Sequence, residues 1–94
     1  MPFLKRLGQP FTQRVIETLA PNQLGVYGLY RGNVWVYVGS GNIRDRLLAH
    51  LRGDNPRITA AQPTHWIDEV TAIMVGREKQ LILELNPTAN QRLG

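Results

Sequence analysis

The 94-residue chain contains no cysteine. Disulfides and thiolate-held metal ions are therefore excluded. Lysine is almost as scarce, with two residues against nine arginines, and none lies between Arg6 and Lys79. Chemistry placed in the middle of the chain must do without a lysine base. No apolar run approaches the roughly 20 residues that a membrane span needs. The N-terminus, MPFLKRLGQPFTQRV, lacks the apolar stretch of a secretory leader. A cytoplasmic protein with no membrane partner is the expectation. Repeats and low-complexity segments are missing too, and a chain of this length makes one domain with a modest core.

What the sequence does hold is positive charge. The net charge is +4, carried mostly by arginine, whose fixed fork of donors matches phosphate geometry. So small a basic domain suits a polyanionic partner. A merely soluble surface can carry the same balance, so charge alone leaves both readings open.

The pattern of elements predicts a small α/β (α+β) domain with a three-stranded antiparallel sheet flanked by helices. In TQRVIETLA (12–20), Val15, Ile16 and Leu19 recur at helical spacing, with Thr12 as N-cap and Pro21 as a stop. Residues 1–10 read as an irregular lead. GNIRDRLLAHLRG (41–53) reads as a helix, capped by Asn42 and closed by Gly53. Its buried stripe is Ile43, Leu47, Leu48 and Leu51, and Arg46 and His50 share one flank. Residues 54–65 read as a loop with room for a helical turn, 66–75 as a strand and 77–86 as a last helix stopped by Pro87. In that helix Glu78 falls on the apolar stripe of Leu81, Ile82 and Leu85.

GVYGLYRGNVWVYVGSG (25–41) reads as a β-hairpin, because Val34, Val36 and Val38 alternate with Trp35, Tyr37 and Gly39. Loop length decides what it presents. A three-residue loop, Arg31-Gly32-Asn33, pairs Tyr27 with Tyr37. A two-residue loop pairs Tyr27 with Val38 and sends the tyrosines to opposite faces. Asn33 tolerates the left-handed conformation in which three-residue loops end, so the first register is expected. It places Val26, Val34, Val36 and Val38 together on the other face.

Two tyrosines on one face, an Arg–His flank and a glutamate on the apolar side of a helix make a constellation. Each member has an ordinary structural reading: tyrosines favour strands, helical arginines are solvated, and a glutamate near a helix start complements the dipole. Taken together and in order, GVY (25–27), YVGS (37–40), the N-I-R-D-R-L-x-x-H run (42–50), REKQLILELNP (77–87) and PTAN (87–90) resemble the GIY-YIG nuclease family. The likeness spans residues 24 to about 91. It divides the chain into an N-terminal extension with a short helix (1–23) and a nuclease-like domain (24–94).

The resemblance implies a metal-dependent endonuclease acting on DNA. The alternative is a catalytically inactive nucleic-acid-binding module of the same fold. Tyr27, Tyr37, Arg46, His50 and Glu78 are the implied catalytic residues, with Glu78 also holding a single Mg²⁺ or Mn²⁺. Gly25, Gly39, Ser40, Arg44 and Asn90 are the implied substrate-binding positions. Ser40 stands where the repair branch of the family often has lysine. With lysine absent there, His50, or else His65, must take the proton from a tyrosine base, or metal-bound water alone must serve. A tyrosine base needs such help, since holding a phenolate at pH 7 costs about 4 kcal/mol. Ninety-four residues leave no room for a separate DNA-reading domain. Specificity is then expected from a partner protein, or from branched or damaged DNA read by its shape.

Overall fold

The computed structural model describes Phe3 and residues 8–90. The hairpin is its centre. Strands β2 (Leu24–Arg31) and β3 (Val34–Asn42) pair antiparallel, and β4 (His65–Val70) adds to the other side of β2. The expected three strands are joined by a fourth, because the two-residue β1 (Gln9–Pro10) pairs with β4, giving the order β1-β4-β2-β3. Two residues ending in a proline leave no periodic signal in a sequence. The rest of the irregular lead, residues 1, 2 and 4–7, lies outside the described residues.

The hairpin register differs from expectation. Arg31 pairs with Val34 across a two-residue turn, and the positive φ (59°) falls on Gly32, with Asn33 not among the positive-φ residues. Glycine at the first central position suits a two-residue turn. Alone, that turn would part the tyrosines. A β-bulge repairs it: Tyr30 pairs with Trp35 but Leu29 with Tyr37, so Val36 is the extra residue. Tyr27 consequently pairs with Gly39, and Tyr37 stands diagonal to it on the same face, ring centroids 6.3 Å apart. The bulge also separates the valines. Val36 joins Tyr27 and Leu29 in one core, while Val38 joins Val26 in the other.

Both faces of the sheet are covered. On the tyrosine face lie α1 (Gln13–Ile16), α2 (Ile43–Leu51), α3 (Pro56–Ala61) and the 3₁₀ turn Thr88–Asn90, which contribute Ile16, Ile43, Leu47, Ile58 and Ala89. On the opposite face lie α4 (Met74–Leu85), through Leu81, Ile82 and Leu85, and Phe3. Of the described residues before β2, Phe3 and Ile16 are fully buried, one in each core. Thr12 and Asn42 cap their helices as their sequence positions predict. The helical turn allowed for in the 54–65 segment is α3, which starts at the Asn55 cap and Pro56. The strand expected over 66–75 ends at Val70, and α4 starts earlier than expected, at Met74, with no side-chain cap to mark it.

Two glycines of the hairpin matter through what they leave room for. A Cβ on Gly25 would stand 2.1 Å from the Glu69 carbonyl oxygen, and one on Gly39 would stand 2.3 Å from the Tyr27 hydroxyl. Both residues are buried. At both positions the protein itself, the β4 backbone at Gly25 and the Tyr27 phenol at Gly39, takes up the space a side chain would fill. Gly39→Ala should destabilise the fold by about 1–3 kcal/mol, as overpacking does, and should displace the Tyr27 hydroxyl. Chemical denaturation with an NMR spectrum of the tyrosine rings checks this. Unchanged stability would mean the Tyr27 ring does not lie against β3.

Candidate active site

Two adjacent rows of the sheet organise the site, one on each face. Asp68, Tyr27 and Gly39 are in register on one face, and the next row, Glu69, Val26 and Ser40, points to the other. Helix α4 crosses that second row. Arg77 forms a fork with Glu69, Nε to Oε2 at 2.7 Å and Nη2 to Oε1 at 2.9 Å. Its neighbour Glu78 accepts a hydrogen bond from the Ser40 hydroxyl. Adjacent residues on one helix therefore grip β4 and β3, which fixes the rotation of α4 and aims Glu78 at the β3 edge. Helix α4 begins at Met74, so Glu78 sits beyond the first turn. Its position answers to Ser40 more than to the helix dipole, whose influence is confined to the end turn.

On the tyrosine face, α2 supplies the other groups. Tyr27 and His50 are both buried, 1% and 3% exposed. The Tyr27 hydroxyl and His50 Nε2 are 2.7 Å apart. The Tyr37 ring stands edge-on to the His50 ring, centroids 5.1 Å apart. The second nitrogen of His50, Nδ1, meets Asp54 Oδ1 at 2.7 Å, and Arg46 Nη2 donates to Asp54 Oδ2 at 3.1 Å. Burial pushes the pKa of the Tyr27 hydroxyl above its ordinary value; Tyr37 adds to the rise and Arg46 opposes it. Tyr37 is pushed the same way, by burial and then by Glu78. For His50, burial lowers the pKa, against the pull of the Asp54 carboxylate. Burial would raise Asp54, but the hydrogen bond from His50 and the charges of His50 and Arg46 hold it below its ordinary value.

The two faces meet at the open edge of β3. An ≈ 880 Å³ cleft there is lined by Tyr37 and Glu78, with Asp54, Asn55, Arg57 and Asn90 among its walls. Of the expected catalytic residues, Tyr27, Tyr37, Arg46 and His50 gather on one side and Glu78 faces Tyr37 from the other. The expected substrate-binding residues fare differently. Ser40 holds the Glu78 carboxylate. Both ends of the Asn90 amide are engaged by Val38, whose N–H donates at 2.7 Å and whose carbonyl accepts at 2.9 Å. Arg44 lies in the first turn of α2, and its Nε is buried without a hydrogen-bond partner. His65 stacks on Tyr30 and bonds Thr64, on the face opposite Tyr27, so it is no acceptor for a tyrosine proton. Asp54 was not singled out by sequence. Its spacing of four from His50 was the available signal, but a position past the helix end does not reveal which way the chain turns.

The architecture is the fold of GIY-YIG endonuclease domains. It is similar to two solved structures of the N-terminal GIY-YIG endonuclease domain of UvrC from Thermotoga maritima, different point mutants, each bound to its catalytic divalent cation. They share 25% and 26% identity with this chain at TM-scores of 0.66 and 0.64, each covering 85% of this chain and 96% of the other. No protein-family model and no curated protein sequence matches the chain.

The lowered pKa of His50 gives a pH dependence of stability. The unfolded chain takes up this proton near pH ~6.5, the folded chain only at lower pH. This contribution is complete above that range and is lost as pH falls through it, where the unfolded state alone is protonated. Melting temperature should therefore drop between about pH 7.5 and about 5.5 in the wild type, with a shallower drop in His50→Gln. Equal slopes in thermal melts of the two would show that His50 ionises alike in both states.

Proposed function

We propose that this protein is a metal-dependent endonuclease that hydrolyses phosphodiester bonds in DNA. The observation that carries the reading is the 2.7 Å contact between the Tyr27 hydroxyl and His50 Nε2, set beside Arg46 on a GIY-YIG endonuclease fold. Tyr27 is the general base. It cannot hold a phenolate by itself at neutral pH, because burial opposes the charge. It need not, since it passes its proton to the neutral imidazole of His50 as it takes one from the attacking water. The water oxygen bonds to phosphorus, the bond from phosphorus to the departing alkoxide breaks, and the alkoxide takes a proton from solvent. His50 then returns its proton to solvent.

Arg46 brings the phosphate to this place. Its side chain is 43% exposed and lies against the Tyr27 hydroxyl. A phosphate drawn to its donor fork is thus drawn to the base. Tyr37, which lines the cleft, orients water or phosphate. Arg44 adds positive charge at the start of α2, and Asn90 holds the wall formed by the 3₁₀ turn.

Glu78 is the residue that would hold a divalent cation. The donors at this edge of the cleft are oxygens, from the Glu78 carboxylate and the Tyr37 hydroxyl, which suits Mg²⁺ or Mn²⁺. Among the described residues no group of three or more His, Asp or Glu gathers as a metal site. A single-carboxylate site, completed by water and phosphate, is the arrangement that fits. Such a cation would supply charge stabilisation for the phosphoryl oxygens.

The proposed setting is the cytoplasm, and no helix among the described residues is long and apolar enough to cross a membrane. Branched or damaged DNA, or a partner protein, supplies the specificity. Labelled duplex, nicked, flapped and single-stranded oligonucleotides incubated with Mg²⁺, Mn²⁺ or EDTA test the reading. Cleavage should need the metal. Glu78→Gln should abolish it and leave binding unchanged, because an amide is a poor ligand for a hard cation. Full activity of that variant would move the metal elsewhere. Tight binding of every oligonucleotide with no cut in any would instead favour a binding module.

A further inference from the structure

We infer that Asp54 is a positioning residue of this site, whose carboxylate fixes His50 in the one tautomer able to accept a proton from Tyr27. The inference rests on the reading of Tyr27 and His50 given above and adds a residue to it. A neutral imidazole has one N–H and one bare nitrogen. If the proton sat on Nε2, the Tyr27 hydroxyl could only accept, and no proton could leave it. An ionised carboxylate accepts and never donates. With Asp54 Oδ1 at 2.7 Å from Nδ1, the proton is held on Nδ1 and the lone pair of Nε2 faces Tyr27.

The carboxylate is itself held in place. Asp54 follows α2 in a backbone closure that satisfies the last carbonyls of the helix. The Gly53 N–H donates to the His50 carbonyl at 3.1 Å and the Asp54 N–H to the Ala49 carbonyl at 3.2 Å. Gly53 takes the positive φ (91°) that this closure requires. The residue after such a glycine usually makes an apolar contact back to the helix. Here it returns a carboxylate to the helix's own histidine. Arg46 then binds the second oxygen, at 3.1 Å, so the carboxylate cannot swing away without losing an ion pair.

His50 is faced by Tyr27 from β2, Tyr37 from β3, Arg46 from its own helix and Asp54 from the turn that follows. Asp54 is the anion of this set at neutral pH. When the Tyr27 proton moves to Nε2, the imidazolium keeps its Nδ1–H on Asp54. Asp54 stays ionised throughout and stabilises the positive ring. An ordinary ion pair at the end of a helix would stabilise the fold and leave the tautomer free.

Nitrogen-15 NMR of the imidazole, without substrate, is the first test. The wild type should show the Nδ1–H tautomer, and an Nε2–H tautomer would overturn the proposal with no variant needed. In Asp54→Asn, the amide oxygen should turn to Arg46 and its NH₂ to His50 Nδ1, so the proton should move to Nε2. A tautomer unchanged in that variant, with its fold checked by thermal melt, would also overturn it. The second test is single-turnover cleavage. Asp54→Asn should lose about 100-fold or more in rate, the scale of general acid–base catalysis, with binding retained. In a His50→Ala background the same change should cost less than about threefold, because the two residues act as one unit. An equal loss in both backgrounds would mean that Asp54 acts through Arg46 or the fold. The NMR result stands apart from the nuclease reading: the Nδ1–H tautomer in a wild type that cuts nothing would retain the positioning role and refute the nuclease.

Discussion

The site depends on one extra residue in one strand. Val36 is a β-bulge, and without it the tight turn at Gly32 would leave Tyr27 and Tyr37 on opposite faces. Bulges bend a strand and re-aim its side chains. This one shifts every residue of β3 beyond it by a single position. It sets Gly39 opposite Tyr27, where the missing side chain leaves room for the phenol. It also turns Ser40 to the face of α4, where Glu78 meets it. Both halves of the site, Tyr27 with His50 on one face and Ser40 with Glu78 on the other, inherit their alignment from that shift.

The hairpin, the capped helix after it and the glutamate helix were legible because each carries a strong local signal. Apart from the uncapped start of α4, their boundaries follow Gly, Asn and Pro, and their apolar spacing matches one period. The register was not legible. Both faces of this sheet are covered, so both sides of β3 are apolar. Valine and aromatic residues then alternate without marking an inside, and nothing distinguishes Val36 from its neighbours. The tyrosines were expected on one face for a reason that does not hold, a three-residue loop, and they share that face through the bulge instead.

Residues defined by tertiary contact were harder still. Asp54 belongs to the site only because a turn folds it back on His50. Asn90 and Ser40, expected to touch nucleic acid, are engaged within the protein. His65 was a second candidate beside His50 as proton acceptor from a tyrosine, and the pairing of β4 with β2 places it on the other face. Where a side chain points is decided by strand register and helix rotation. Arg77 shows how fine that decision is: its fork with Glu69 sets the rotation of α4, and its sequence neighbour Glu78 faces the cleft as a result.

The amide of Asn90 has a consequence beyond the site. A strand at the border of a sheet exposes unpaired N–H and C=O groups, an invitation to pair with a strand of another molecule. At Val38 both groups are taken by Asn90, which imitates one residue of a neighbouring strand and stops there. The opposite border is β1, two residues long and ending in a proline that has no N–H to offer. Strand addition is thus opposed at Val38 on one border and at the short, proline-ended β1 on the other. Beside the cleft, the β3 border at Val38 has no free backbone groups to offer a partner strand.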